Sequence, residues 1–272
     1  MLRTTNGFTL IEIAIVLVIV GLLLGGLLMP LAAQVEVRRH TETQKILKEI
    51  NEAMIGFALV NGRLPCPAAP GTPTGTVGAG LERAVGVPPV PTCPGANALG
   101  VVPWVTLGVS EVDAWGRRFT YRVTDWYSDR ILALNTVQAP LPAPQICVGN
   151  PTNASFALCS PGDMDIRVGP ALALVATRIP AVIVSHGKNG RGGYLPNGNQ
   201  MTCPAVPPPV PAPPPPTPEE IENADCPTNN PLLFISHEQT SSSAAVGEFD
   251  DIVSWVVPAS LMKGMVDAGR LP

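Results

Sequence analysis

The chain has 272 residues, of which 46% are hydrophobic and 5% aromatic, and a formal net charge of −4. The length allows one large or two small domains. An acidic balance without a basic stripe argues against nucleic-acid binding, and no dense block of charge names a partner. With 32 prolines and 26 glycines, a modest core with much loop is predicted.

The first element is an apolar run over residues 8–33, broken by a single carboxylate, Glu12. As a helix it measures about 39 Å at 1.5 Å per residue, enough to cross a hydrocarbon core of about 30 Å. A signal peptide fits poorly, because its apolar region is shorter and its cleavage site follows that region. A carboxylate inside such a run is costly without a partner, which makes Glu12 functional by default. The plainer alternative is a glutamate near the headgroups that reaches water. Pro30 removes one helical hydrogen bond and is expected to kink or loosen the helix. Gly21, Gly25 and Gly26 lower its propensity and leave small faces for close helix packing.

At the head of this run stand Gly7, Phe8, Thr9, Leu10, Ile11 and Glu12. They resemble the processing signature of type IV pilins and of type II secretion pseudopilins. The resemblance implies a prepilin peptidase/N-methyltransferase that cuts between Gly7 and Phe8 and methylates Phe8. It implies that Glu12 serves assembly with other pilin or pseudopilin subunits on an inner-membrane platform. Phe8 and Glu12 are four apart and share a helix face. The Glu12 carboxylate can therefore neutralise the new amine of Phe8, on its own chain or a neighbour, and so set subunit register. Local charge does not favour an N-terminus inside, since Arg3 precedes the run while Arg38, Arg39 and Lys45 follow it. That orientation, single-pass in the inner membrane with a periplasmic C-terminal part, rests on the cysteines and the resemblance.

Residues 41–60 carry Ile46, Ile50, Met54 and Phe57 at helical spacing, with Lys45, Lys48, Glu49 and Glu52 on other faces. Asn61 and Gly62 form a stop signal. This second, amphipathic half of the helix needs a surface to cover its apolar stripe. Residues 65–100 read as loop. Residues 118–124 alternate as a strand does, and residues 131–134, 171–176, 181–185, 232–236 and 252–257 are short apolar runs bounded by turn residues. Residues 258–268 predict a terminal helix opening on proline. The fold class is α+β: a long N-terminal helix packed on a small antiparallel β-sheet with long Pro/Gly-rich loops.

Cys66, Cys93, Cys147, Cys159, Cys203 and Cys226 all follow the apolar run and form no CxxC pair. An even count in loops fits disulfides and an oxidising compartment, against the alternative of buried thiols. The least entangled pairing joins neighbours: Cys66–Cys93, Cys147–Cys159 and Cys203–Cys226. The last pair would staple the base of a proline-rich insertion at 204–218, read as a polyproline spacer. The layout is thus a leader at 1–7, a membrane and assembly helix at 8–33, its amphipathic extension at 34–62, and a globular β-domain at 63–272.

Residues 113–121 (DAWGRRFTY) resemble the tryptophan–glycine segment of major pseudopilins, which leads into the first strands of their sheet. Residues 185–193 (SHGKNGRGG) resemble the Gly-rich loop that follows. In many of those proteins calcium ties that loop to acids nearer the C-terminus. Here Glu248, Asp250 and Asp251 are the acids, with Asp250 and Asp251 the candidate calcium ligands. Lys188 and Asn189 stand where an aspartate would help, so an Asn-Gly turn beside a solvated acidic turn is the alternative. No other cofactor is implied.

An enzyme is not expected. His186 and His237 each follow a serine, but no nucleophile elbow, zinc-protease or phosphate-loop pattern occurs. The competing class is a signal-anchored periplasmic binding or hydrolytic domain that does not assemble. It would be indifferent to Gly7 and Glu12.

Overall fold

The structure, a computed structural model, describes residues 9–83, 93, 99–128, 154–160, 162–169, 173–203, 219–224, 226, 232–240 and 248–271, without the side chains of residues 23–32. Gly7, Phe8, Cys147, the run at 131–134 and the insertion at 204–218 lie outside the described residues.

One helix, α1, runs from Leu10–Asn61. It is not broken at Pro30, where a kink or loosening was expected. The chain divides into two units, residues 1–42 and 43–272. In the first unit, helix residues 10–22 expose their apolar side chains. Among the described residues no helix is long and apolar enough to cross a membrane.

The second unit is built on a four-stranded antiparallel sheet. Its strands are β1 (Leu99–Val101), β2 (Thr120–Val123), β5 (Ala181–Ser185) and β7 (Ile252–Trp255), in the order β1-β2-β5-β7. The strands β3 (Met164–Arg167), β4 (Leu174–Ile179) and β6 (Leu233–Ile235) form a second sheet, ordered β4-β3-β6. Among the described residues it also has four short or terminal helices: α2 (Trp104–Leu107), α3 (Asp125–Ser128), α4 (Glu220–Asn223) and α5 (Pro258–Asp267).

Strand β5 explains the layering. All five of its residues are buried, so both faces must be covered. Ala181 and Ile183 join the core that Leu47, Ile50, Met54 and Ala58 of α1 make with Phe119, Tyr121 and Val123. Val182 and Val184, on the opposite pleat, pack with Met164, Ile166, Ile179 and Phe234 of the second sheet. The first sheet therefore lies between the amphipathic part of α1 and a second sheet. The antiparallel sheet against the helix is as expected; the second sheet, in which β3 and β6 pair in parallel, is an addition to that expectation.

The end of α1 is closed by parts far apart in sequence. Gly62 sits at φ 72° and its N–H donates to Ala58 O at 2.8 Å, an αL stop that a side chain would resist. The last turn of α1 has no basic residue. Arg270, just past α5, supplies the charge by donating to Leu59 O at 2.9 Å and to Val60 O.

Candidate functional site

Two places in the structure carry chemistry. At the first, Thr9 and Glu12 make a reciprocal cap at the start of α1. The Glu12 carboxylate accepts from the Thr9 N–H and hydroxyl, both at 2.8 Å, while the Glu12 N–H donates to Thr9 Oγ1 at 3.4 Å. This is the S/T-x-x-E capping box. It gives the carboxylate a partner within its own chain. Thr9 was missed as a functional residue, although the motif Thr9-Leu10-Ile11-Glu12 ahead of an apolar run announces it.

The second place is where the two pseudopilin-like segments meet. Asp113 folds the turn of the first segment: its Oδ1 accepts from the N–H of Trp115 at 2.9 Å and of Arg117 at 3.0 Å, with Gly116 at φ 82° between them. Its other oxygen accepts from Ser185 Oγ at 2.6 Å, at the end of β5. Arg117 then reaches the following loop and donates to the carbonyls of Gly187 and Lys188, both at 2.7 Å. At Gly187 (φ 50°) a Cβ would meet Asp250 O at 2.2 Å, so the loop can approach the acids only with glycine there.

Against this loop lie Glu220, Asp250 and Asp251, with one carboxylate oxygen from each within 4.8 Å of the others. Glu220 opens α4, and the two aspartates lead into β7. Asn189 binds the group together: its N–H donates to Asp250 Oδ2 at 2.8 Å and its side-chain amide to Glu220 Oε1 at 2.7 Å. Asn223 donates to Asp251 Oδ2 at 2.9 Å. Two oxygens, Oδ1 of Asp250 and Oδ1 of Asp251, are buried with no hydrogen-bond partner, as is Nδ1 of His186. Burial, with the charge of Asp251 added, raises Glu220 to about 7. Burial first, then Asp251 and Glu248, raises Asp250 to about 6 against the N–H of Asn189. Three carboxylates gathered without enough donors form a site of excess negative charge.

The donor set fits a hard cation. Oxygen ligands from carboxylates suit calcium or magnesium, and the unpartnered oxygens are what such an ion would satisfy. The residues named from sequence, Asp250 and Asp251, are both here. Glu220 was missed, because 29 residues and the proline-rich insertion separate it from the Gly-rich loop. The disulfide Cys203–Cys226, with an S–S distance of 2.04 Å, brings the two ends of that insertion together and returns α4 to the loop. Glu248 does not join the triad but pairs with Arg191 at 3.5 Å.

Cys66 and Cys93 are also bonded, at 2.08 Å, and Cys159 is in a disulfide. Both pairs are those of the least entangled pairing, and Cys147 lies outside the described residues.

His186 Nε2 lies 2.7 Å from Thr120 Oγ1, and its Nδ1 is 3.7 Å from Asp251 Oδ1. The order of hydroxyl, imidazole and carboxylate resembles a nucleophilic triad, but all three residues are at most 4% exposed. His237 is held by Glu219 at 2.7 Å and stacks on Phe249.

No curated protein and no solved structure matches the chain. Residues 2–28 match the family described as the prokaryotic N-terminal methylation motif. The motif implies processing by prepilin peptidase and assembly with other pilin subunits, and it points to a structural subunit rather than an enzyme. It is the prepilin-type signature of type IV pilins and pseudopilins, and residues 2–28 are similar to it.

Proposed function

We propose that the chain is a structural subunit of a type IV pilus or type II secretion pseudopilus. The precursor rests in the inner membrane through residues 8–33, with its globular part in the periplasm. A prepilin peptidase cuts after Gly7 and methylates Phe8. An inner-membrane platform then draws the helix into a bundle, and the sheets face outward on a periplasmic or extracellular filament. The motif at residues 2–28 is the observation that carries this reading, and the mass of the mature N-terminus tests it. The capping box has a place in the sequence of events. Thr9 holds the Glu12 charge before assembly, and the amine of a neighbouring Phe8 replaces it in the filament.

The globular part carries a calcium site at Glu220, Asp250 and Asp251. Bound calcium would supply the positive charge these acids lack and tie the Gly-rich loop to α4 and β7. The pH dependence has a definite sign. Glu220 and Asp250 hold their protons more tightly folded, at about 7 and about 6, than at their ordinary values of 4.5 and 3.8. Their contribution to stability is complete below the ordinary values and is lost as pH rises through 6 to 7. Calcium needs the ionised form, so it counters that loss. In thermal melts of the full chain, calcium at about a hundred times its Kd should raise Tm by about 5–10 °C near pH 8 and far less near pH 5. Equal shifts at both pH values, or none, would remove the site from this account.

A further inference from the structure

Arg191 stands at the exposed mouth of the acidic triad. Its guanidinium lies 3.4 Å from Glu220 Oε2 and 3.5 Å from Glu248 Oε2, divided between two carboxylates. The side chain is 44% exposed, whereas that of Glu220 is fully buried. Its backbone is fixed, because the Arg191 N–H donates to Asn189 Oδ1 at 2.9 Å and Asn189 is itself bonded to Glu220 and Asp250. The guanidinium is thus tethered beside the triad while its head is held by two long contacts, the kind that contribute little individually. Among the described residues, the other ion pair that reaches the triad is that of buried His186 with Asp251.

A divalent cation among the three carboxylates and the Arg191 guanidinium would compete for Glu220 Oε2, and like charges oppose their joint presence. Resting on the cation reading of this site, we propose that Arg191 is a tethered counter-ion that sets its cation affinity. It pairs with Glu220 when no cation is bound and moves wholly onto Glu248 when one enters. Glu248 is then the second seat of the arginine rather than a ligand. The buried oxygens of Asp250 and Asp251 that lack a hydrogen bond are the ones the cation takes, whereas the arginine's ion pairs are with Glu220 and Glu248.

Calorimetric titration of the full-length, disulfide-oxidised chain in detergent with calcium chloride tests this, with melting curves in chelator to confirm that each variant is folded. Arg191→Gln should bind calcium about two- to fivefold more tightly than the unsubstituted chain, because the competing charge is gone. Glu248→Gln should bind about threefold more weakly, because the arginine loses its second seat. In the Arg191→Gln background, Glu248→Gln should weaken binding by clearly less. Unchanged affinity in Arg191→Gln, with the unsubstituted chain binding, would overturn the counter-ion role and leave the site standing. Equal weakening by Glu248→Gln in both backgrounds would make Glu248 a ligand and also overturn it. Absence of binding by both the unsubstituted chain and Arg191→Gln would overturn the site and the inference together.

Discussion

Glu12→Leu should leave cleavage after Gly7 intact and lower filament yield by about a hundredfold. The factor follows from the roughly 3 kcal/mol that a charge without its partner, here a neighbour's Phe8 amine, costs among membrane helices. On the proposed assembly the Glu12 charge is met by Thr9 before assembly and by a neighbour's Phe8 amine in the filament. Leucine removes both partnerships. Loss of the cap alone costs about 1 kcal/mol, too little to dissolve a helix of 52 residues. The defect should therefore appear in assembly and not in the amount or processing of the subunit. Immunoblots of processed protein beside the yield of sheared filaments read the two apart. Normal filament yield from the leucine variant would contradict the role given to Glu12.

Arg118→Ala should cost the globular unit about 3–5 kcal/mol, the range for stripping one partner from a buried ion pair. Arg118 is fully buried. Its guanidinium donates to Glu111 at 2.9 Å, to Pro70 O at 2.8 Å, to Thr74 Oγ1 at 3.1 Å and to Pro196 O at 3.0 Å, and it lies 4.6 Å from the centre of the Trp104 ring. One planar fork thus ties three loops to the strand edge. Lysine cannot reproduce it, so Arg118→Lys should recover less than half of the loss. Denaturant midpoints of the full chain measure both. A change below about 1 kcal/mol for the alanine variant would mean that these loops are held by other contacts.

The elements easiest to read in the sequence were those with a clear period and a clear end. Of the stripe Ile46, Ile50, Met54 and Phe57, Ile50 and Met54 line the core and Ile46 packs against it, while Phe57 is not among the core residues, and the run at 181–185 is β5 at those residues. Strand β3 escaped because Met164 and Ile166 alternate with Asp165 and Arg167 and make no apolar run. Strand β4 lies further along than its expected limits, since its later residues, Thr177 and Arg178, are polar and exposed. The second sheet was hidden for the same reason, and its parallel pairing of β3 with β6 joins segments that no local pattern links. At the candidate site, the two aspartates were legible as an acidic turn beside a strand. Glu220 was not, because a disulfide rather than a short loop carries it there. Arg191 looked like one more loop residue until its two carboxylates were placed around it.

Everything proposed for the N-terminus depends on which residue is first in the mature chain. Intact mass spectrometry of the protein recovered from its own membrane or filament measures that directly. The account predicts loss of residues 1–7 and gain of one methyl group on Phe8. A mature chain that still begins at Met1, or one cut beyond Glu12, would contradict it.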